Sequence, residues 1–409
     1  MISITLAFRN LLRHRRRSLF TAGLAAVAAV AAIVSIGYMS ATFYAVAENT
    51  VRGGLGHLQI AQERMFDGYE EFPLQHGLSP SEIEAIAQKV QSIESMAELL
   101  PRINMQGVIS VGDQSLVFIG QAVEPLAERS LMPTGSRVIE GVGLEHVDPD
   151  NPYQILVGKE LARLLGLATG DSVTLMTATS AGGLNAADVT VVGITSMGVK
   201  ELDRTYVAAP LALAQDLLLS DKIGRLAVVL PDTEKTADVL ASFKQVAPPS
   251  VTAKSWRELD SFYDQLVQIY TGQFTIFGLV IGAMIVLTLV NTMAMSVLER
   301  RKEIATLMAM GFERGYIRRL FVLEGVMLGI LGAGVGAALA VALIYLINGS
   351  GIQMPPPPGS TEGYTLFLFV EPLAIAGTIL TIVILAIAAS WVASGSVKQS
   401  NLVESFHVA

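Results

Sequence analysis

Val157-Gly158-Lys159-Glu160 is the nearest this 409-residue sequence comes to a phosphate-binding loop. Such a loop needs an earlier glycine, so that backbone N–H groups can cradle the phosphates, and a Ser or Thr directly after the lysine. Both are missing here. The five histidines, His14, His57, His76, His146 and His407, form no His-Glu-x-x-His pair for zinc. No Gly-x-Ser-x-Gly elbow presents a nucleophile, and Gly170-Asp171 reads as a turn. With no cysteine, a thiolate metal site and a disulfide framework are both excluded. The residue types therefore supply no catalytic set, no cofactor-binding set and no metal ligands. Two polar residues do stand out inside apolar runs, Asn291 and Glu324. A carboxylate inside a membrane span is costly and often functional. Glu324 lies about one turn beyond Arg318 and Arg319, so an ion pair or helix-end anchor explains it. Proton chemistry would need a chain of Asp, Glu or His through the membrane, and there is none.

A different kind of chemistry, docking, is written in Glu299–Phe312. An uncharged run of 25 residues, Phe274–Leu298, precedes it, and a mostly apolar run, Leu320–Ile347, follows it. Ile304, Leu307 and Met308 recur at i, i+3 and i+4, giving one apolar face sized for a groove. Glu299, Arg300 and Glu303 lie beside that face, and Gly311, just before Phe312, can close the helix in a left-handed C′ position. A helix that merely rested on lipid would carry a purely basic polar face. Glu299 and Glu303 fit a protein partner better, one that supplies work from the aqueous phase.

The elements that must position this stretch are read from hydropathy and charge. Mean hydropathy is +0.52 and only 16% of residues are charged, against about 25% in soluble domains. Four runs, Leu19–Phe43, Phe274–Leu298, Leu320–Ile347 and Leu373–Val392, are each long enough to cross about 30 Å of hydrocarbon. Before the first, Ile4, Phe8, Leu11 and Leu12 share a helical face ringed by five arginines, which predicts an interfacial elbow on anionic lipid. A secretory signal is the alternative, with Ala45-Val46-Ala47 as its cleavage pattern, but the apolar run exceeds the usual 7–15 residues. Lys and Arg number five before the first run, six between the second and third, none between the third and fourth, and one in the tail. This places both termini and the charged hairpin in the cytoplasm and the large domain outside. Residues 44–270 carry a net charge of −13 and the remainder +5. An acidic domain argues against nucleic acid as a partner.

The expected layout is an elbow helix over 1–18, a first span over 19–43 and an outer α+β domain of two lobes over 44–255. A stalk and second span follow over 256–298, then the charged hairpin over 299–319 and a third span over 320–347. An outer loop over 348–371, a fourth span over 372–397 and a tail over 398–409 complete it. Within the outer domain, His57–Ala61 alternates like a strand, Ser79-Pro80 starts a helix, and Gly112-Asp113 turns a hairpin. The stretch Gly141–Ile194 is assigned to the smaller lobe. Ser255–Arg300 reads as one long helix, with a break at Thr271-Gly272 as the alternative. Small residues at Gly278, Gly282, Gly325, Gly329, Gly332 and Gly336 would let spans approach closely, and Pro355–Pro358 stiffen the outer loop.

Four features together resemble the FtsX-like permeases of ABC transporters, the group that includes MacB and the LolC/LolE lipoprotein-release subunits. They are the elbow Leu6–Arg17, the one-plus-three spans around an outer domain, Val157–Ala162 with Leu165–Val173, and Glu299–Ile304 leading through Met310-Gly311-Phe312 to Ile317 and Glu324. The resemblance implies a mechanotransmission subunit that is not itself an enzyme and binds no cofactor. ATP and Mg would sit on a separate cytoplasmic ABC ATPase dimer, engaged by Glu299–Phe312 as a coupling helix. It also implies a second permease copy or paralogue, a periplasmic chaperone or adaptor, and residence in the bacterial inner membrane with the large domain periplasmic. The implied function is export or release of an extracytoplasmic substrate, closest in layout to lipoprotein release. The alternative within the group is a signalling scaffold that activates a periplasmic partner such as a cell-wall hydrolase.

Overall fold

The computed structural model describes residues 13, 15–66, 72–131, 137–148, 151–355 and 364–394. The expected elbow lies almost wholly outside the described residues, as do Pro356–Pro358 and the tail over 398–409. In chain order the main helices are α1 (Arg15–Thr50), α2 (Pro80–Ile93), α3 (Lys159–Leu165), α4 (Leu211–Leu218), α5 (Thr236–Val246), α6 (Phe262–Glu299), α7 (Arg301–Ala309), α8 (Arg314–Ser350) and α9 (Pro372–Ala393). The strands of the large sheet are β1 (Leu58–Gln62), β2 (Glu98–Val111), β3 (Gln114–Val123), β4 (Arg137–Gly141), β5 (Gln154–Gly158), β6 (Ser172–Ala178), β7 (Leu184–Ser196), β8 (Tyr206–Pro210), β9 (Arg225–Val229) and β10 (Val251–Ser255). Two compact units result: Met1–Phe43 with Gln265–Gln353 and Thr365–Ala409, and Tyr44–Asp264 with Met354–Tyr364.

The second of these units is the α+β domain. Its strands run in the order β10-β1-β9-β2-β3-β8-β5-β7-β4, with β6 paired to β2 and β7. Gly112 takes φ +55° in the turn that sets Val111 opposite Gln114, so the β2–β3 hairpin forms where Gly112-Asp113 predicts it. Ser79 and Glu82 form a reciprocal capping box at the start of α2. The expected two lobes do not appear as two cores. β2 is fourteen residues long and bonds to β3, β6 and β9, which keeps the sheet continuous. One main buried core accordingly runs from Leu58 and Ile60 through Phe118, Val157 and Leu175 to Phe243.

The domain's entry is held by a buried histidine. The end of α1 widens into a π-helical turn, Val51–Leu55, and Gly54 and Gly56 take φ +139° and +72°. His57 follows, fully buried. The Leu230 N–H donates to its Nδ1 at 3.0 Å, so Nε2 carries the proton and faces Thr233 Oγ1 at 3.0 Å. Thr233 Oγ1 in turn donates to Glu48 Oε1 at 2.8 Å, and Arg52 pairs with Glu48. Burial holds His57 down at about 4, against the opposing pull of Glu48.

Among the described residues four helices are long and apolar enough to cross a membrane, Ser18–Leu55, Phe262–Glu299, Arg314–Ser350 and Pro372–Ala393, and most of their length lies in the other unit. Small residues on α8 serve two neighbours. A Cβ added at Gly332 or Gly336 would stand 2.6 or 2.5 Å from the carbonyl oxygen of Ala22 or Ala26 on α1. One at Gly325 would collide with Ser390 Oγ, and one at Gly329 would meet Ala386 on α9 at 3.0 Å. Among the described residues a Cβ at Gly278 would meet nothing within 4 Å, and one at Gly282 would stand 3.8 Å from Leu385 Cδ1 on α9, an ordinary contact without the tight backbone approach expected there. The long helix expected from Ser255 also starts later. Ser255 and Glu258 instead cap a separate turn, Trp256–Leu259, and Asp260 ends it in an extended conformation. Asp260 Oδ1 then accepts the Phe262 N–H at 2.9 Å and opens α6. From there α6 runs unbroken through Thr271-Gly272.

Candidate functional site

The turn between α6 and α8 is built around one arginine. Arg300 leaves helical geometry at φ −103° and ψ 18°, ending α6 and capping α7. At the other end of α7 the Phe312 N–H bonds to Leu307 O at 3.1 Å and the Gly311 N–H to Met308 O at 3.0 Å. With Gly311 at φ +92°, this is a Schellman stop, a conformation that a residue with a Cβ would enter under strain. Glu313 then caps α8, its carbonyl accepting from Tyr316 and Ile317.

Inside this elbow Ile304 packs with Val297 of α6 and with Ile317 and Phe321 of α8, while Leu307 and Met308 lie half-buried against the same cluster. The apolar face expected to enter a partner's groove is therefore spent on the chain's own helices. The reason is geometric: α7 is only nine residues long and is held between two helix ends, so its apolar stripe has neighbours at once. Among the described residues of the segment, Glu299, Lys302, Thr306, Ala309, Met310, Gly311 and Phe312 are exposed. Met310 is 63% exposed and Phe312 42%, with the Phe312 ring 5.1 Å from that of Tyr316.

Charge closes the elbow. Arg300 Nη1 donates to Glu324 Oε1 at 2.9 Å and Arg300 Nε to Glu303 Oε2 at 2.9 Å. The guanidinium also lies 5.3 Å from the centre of the Phe321 ring. Arg300 and Glu324 are both buried. Arg13 reaches Glu303 Oε1 at 2.9 Å, an exposed contact worth little in water. Glu324 thus pairs with Arg300, where the sequence suggested Arg318 and Arg319. On one helix, residues five and six apart sit roughly 140° and 240° round the axis, so neither arginine shares a face with Glu324. Arg318 instead donates to Trp391 O at 3.1 Å and Ser394 Oγ at 3.3 Å and stacks 4.1 Å over the Trp391 ring. The structure brings together Arg300, Glu303, Ile304, Leu307, Met308 and Glu324. With them stands Ile317, which the resemblance had named, and it adds Val297 and Phe321, whose sequence signal is the apolar period of the flanking helices. Asn291 stands apart, exposed on α6.

Comparison with known proteins bears on what such an elbow serves. The MacB-like periplasmic core domain matches residues 19–246, more than half of the chain, and the FtsX-like permease C-terminal domain matches residues 275–402. The chain belongs to the FtsX-like, MacB-type ABC transporter permeases. The resemblance to the FtsX-like permeases is thereby borne out, and the matched residues include Val157–Val173 and Glu299–Glu324. This permease is a membrane protein with four spanning helices and a large extracytoplasmic α+β domain between the first and second. The lipoprotein-releasing system transmembrane protein LolC of Xylella fastidiosa is 27% identical to it over 238 residues, covering 55% of this chain and 57% of that one. An uncharacterised ABC transporter permease of Methanocaldococcus jannaschii is 25% identical over 367 residues, 86% of each chain. The LolE protein of Haemophilus influenzae is 24% identical over 265 residues, 63% of each. The permease's match covers 57% of that LolC and 63% of that LolE, less than two thirds of either.

Proposed function

We propose that this permease couples ATP hydrolysis in a separate cytoplasmic ATPase dimer to displacement of its own extracytoplasmic domain, and so releases or exports a substrate held outside the inner membrane. The ATP and its Mg ion belong to the partner. In this arrangement both termini and α7 face the cytoplasm, an orientation that the arginine and lysine counts of the short segments support. A lipoprotein-like substrate is the choice that the LolC and LolE similarity favours.

The observation that carries this reading is the construction of α7. It is a short helix joined to α6 at Arg300, which bonds both Glu303 on α7 and Glu324 on α8, with Lys302, Thr306, Met310 and Phe312 turned outward. A push on those outward residues would be passed to α6 and α8 instead of being absorbed by bending at Arg300 or Gly311. α6 then offers 38 unbroken residues, about 57 Å at 1.5 Å per residue, along which to carry it.

The test is co-purification of an ABC ATPase with the full chain after mild detergent extraction, followed by release of an acylated lipoprotein from proteoliposomes. Phe312→Asp and Thr306→Arg should each lower ATPase recovery at least ten-fold while leaving the permease folded. Undiminished recovery with both would place the contact elsewhere. An ATPase-bound permease that releases no lipoprotein but activates a cell-wall hydrolase would move the function to signalling.

A further inference from the structure

Among the described residues of the outer domain, Arg102 is the only buried Lys or Arg, 2% exposed. It stands on β2 with Leu100 and Asn104, on the opposite face of the sheet from Ile103 and Met105, which join the main core. Its Nη2 donates to Glu128 Oε1 at 2.6 Å. The other two guanidinium nitrogens, Nε and Nη1, are buried with no hydrogen-bond partner, and so is Glu128 Oε2. An arginine and a carboxylate can match as a two-pronged pair, so this contact leaves half of the fit unmade. Every buried polar atom without a partner has lost its water for nothing in return. Burial accordingly pushes the Glu128 carboxyl above its ordinary range, against the opposing pull of Arg102.

Glu128 rides on a short helix, Pro125–Leu131, laid over this face of the sheet. Of the described side chains on that helix, Ala127 alone packs on a buried apolar cluster, made by Leu100, Ala227 and Val229, while Leu126 is 70% exposed. A segment with so little apolar burial opens at low cost. Beneath it Arg102 is not crowded from the side of the domain's entry turn. A Cβ built at Gly54 would stand 3.8 Å from Arg102 Nη1 and 3.9 Å from Gln121 Oε1, with nothing nearer. Tyr206 lies close enough to feel both Arg102 and Glu128, and burial keeps its hydroxyl protonated, with its pKa pushed up to about 12. A strong cation, an amide and a neutral hydroxyl thus meet under a weakly held cover.

We propose that Arg102 anchors a binding site for a carboxylate ligand, and that Glu128 on the helix Pro125–Leu131 fills this site in the ligand's place and is displaced when the ligand binds. With Glu128 moved aside, one edge of the guanidinium offers two N–H groups to the two oxygens of one incoming carboxylate. Glu128 itself passes into water with its helix, where both its oxygens are solvated. A carboxylate suits the place better than a phosphate dianion, because a carboxylate already sits on Arg102 and the domain around it is strongly acidic. Gly54 belongs to the turn by which the chain enters the domain, so the ligand would bind against that turn. The proposal is independent of how ATP is used at α7.

The test titrates the full-length permease in detergent with sodium acetate and, separately, with inorganic phosphate, each against sodium chloride at equal ionic strength. Calorimetry reads binding, and hydrogen exchange reads the cover. Acetate should bind and should speed exchange across Pro125–Leu131. Glu128→Ala removes the internal occupant and should tighten acetate binding by about ten-fold or more, since a site open for part of the time shows only that fraction of its intrinsic affinity. Arg102→Met combined with Glu128→Leu strands neither charge, so it should fold and bind no acetate. Acetate binding that Glu128→Ala leaves unchanged, or that the double variant keeps, overturns the site. So does a failure of both the unmodified chain and Glu128→Ala to bind acetate. Phosphate bound in preference to acetate overturns the carboxylate assignment. Recovery of an ATPase with the permease is untouched by any of these failures, so the coupling reading is judged separately.

Discussion

At the scale of single residues, Arg300 is the most consequential side chain described. It ends one helix, caps the next and ion-pairs with a third through Glu324. Removing one member of a buried pair leaves the other charged and desolvated, which costs about 3–5 kcal/mol. Arg300→Met and Glu324→Leu should each therefore lower the thermal midpoint of the purified permease clearly. The double variant should recover much of the loss, because neither charge is then stranded. Scanning calorimetry in detergent checks this, and additive losses in the double variant would refute the pairing. The pair is beyond reach of the sequence. Glu324 is legible as an anomaly because a carboxylate interrupts an apolar run, but its partner lies 24 residues away across a turn whose closure no local pattern specifies. The arginines nearest in sequence are the natural choice, and helix geometry turns them to other faces. Gly311, by contrast, can be placed by local rule alone, since a helix stop needs only its own last turn.

At the scale of elements, hairpins, caps and spans are readable, because each is fixed by spacing within about a dozen residues. The capping box at Ser79 is a case in point: Ser79→Ala should cost about 1 kcal/mol and speed hydrogen exchange in the first turn of α2. Closure over long range is not readable in this way. β2 joins β9 and β6, and that pairing turns two expected lobes into one sheet. The entry to the domain depends on a buried neutral histidine, and this gives it a pH dependence. The folded value for His57 lies near 4, below its ordinary 6.5, so the unfolded chain takes up the proton first as pH falls. Stability is therefore full above about pH 6.5 and declines through the window down to about 4, by up to roughly 3 kcal/mol. His57→Gln should remove that slope while costing stability at neutral pH. An unfolding midpoint measured at pH 7.5, 6 and 5 for both proteins would show whether it does.

At the scale of the whole molecule, the acidic domain and the basic membrane part divide the charge along the chain, and residue counts alone make that division plain. The same division makes orientation testable. Asp113→Cys, in the β2–β3 turn, should react with a membrane-impermeant maleimide added outside the cell, while Lys302→Cys on α7 should react only after the inner membrane is opened. The reverse pattern would invert the proposed topology and remove α7 from the ATPase side.

The glycines of α8 bear on how such a molecule is made. Gly332 and Gly336 accept the backbone of α1 at Ala22 and Ala26, so the first spanning helix meets this close neighbour only some three hundred residues later. At roughly 5–20 residues per second of synthesis, α1 waits on the order of 15–60 s in the bilayer before α8 exists to meet it. During that interval the whole of Tyr44–Asp264 is synthesised, and its fold does not need α8, since its sheet and core close within themselves. Birth order thus favours a finished outer domain before a finished membrane bundle, and a bulky residue at Gly332 would strand the chain at that stage: domain folded, spans inserted, first helix unclaimed.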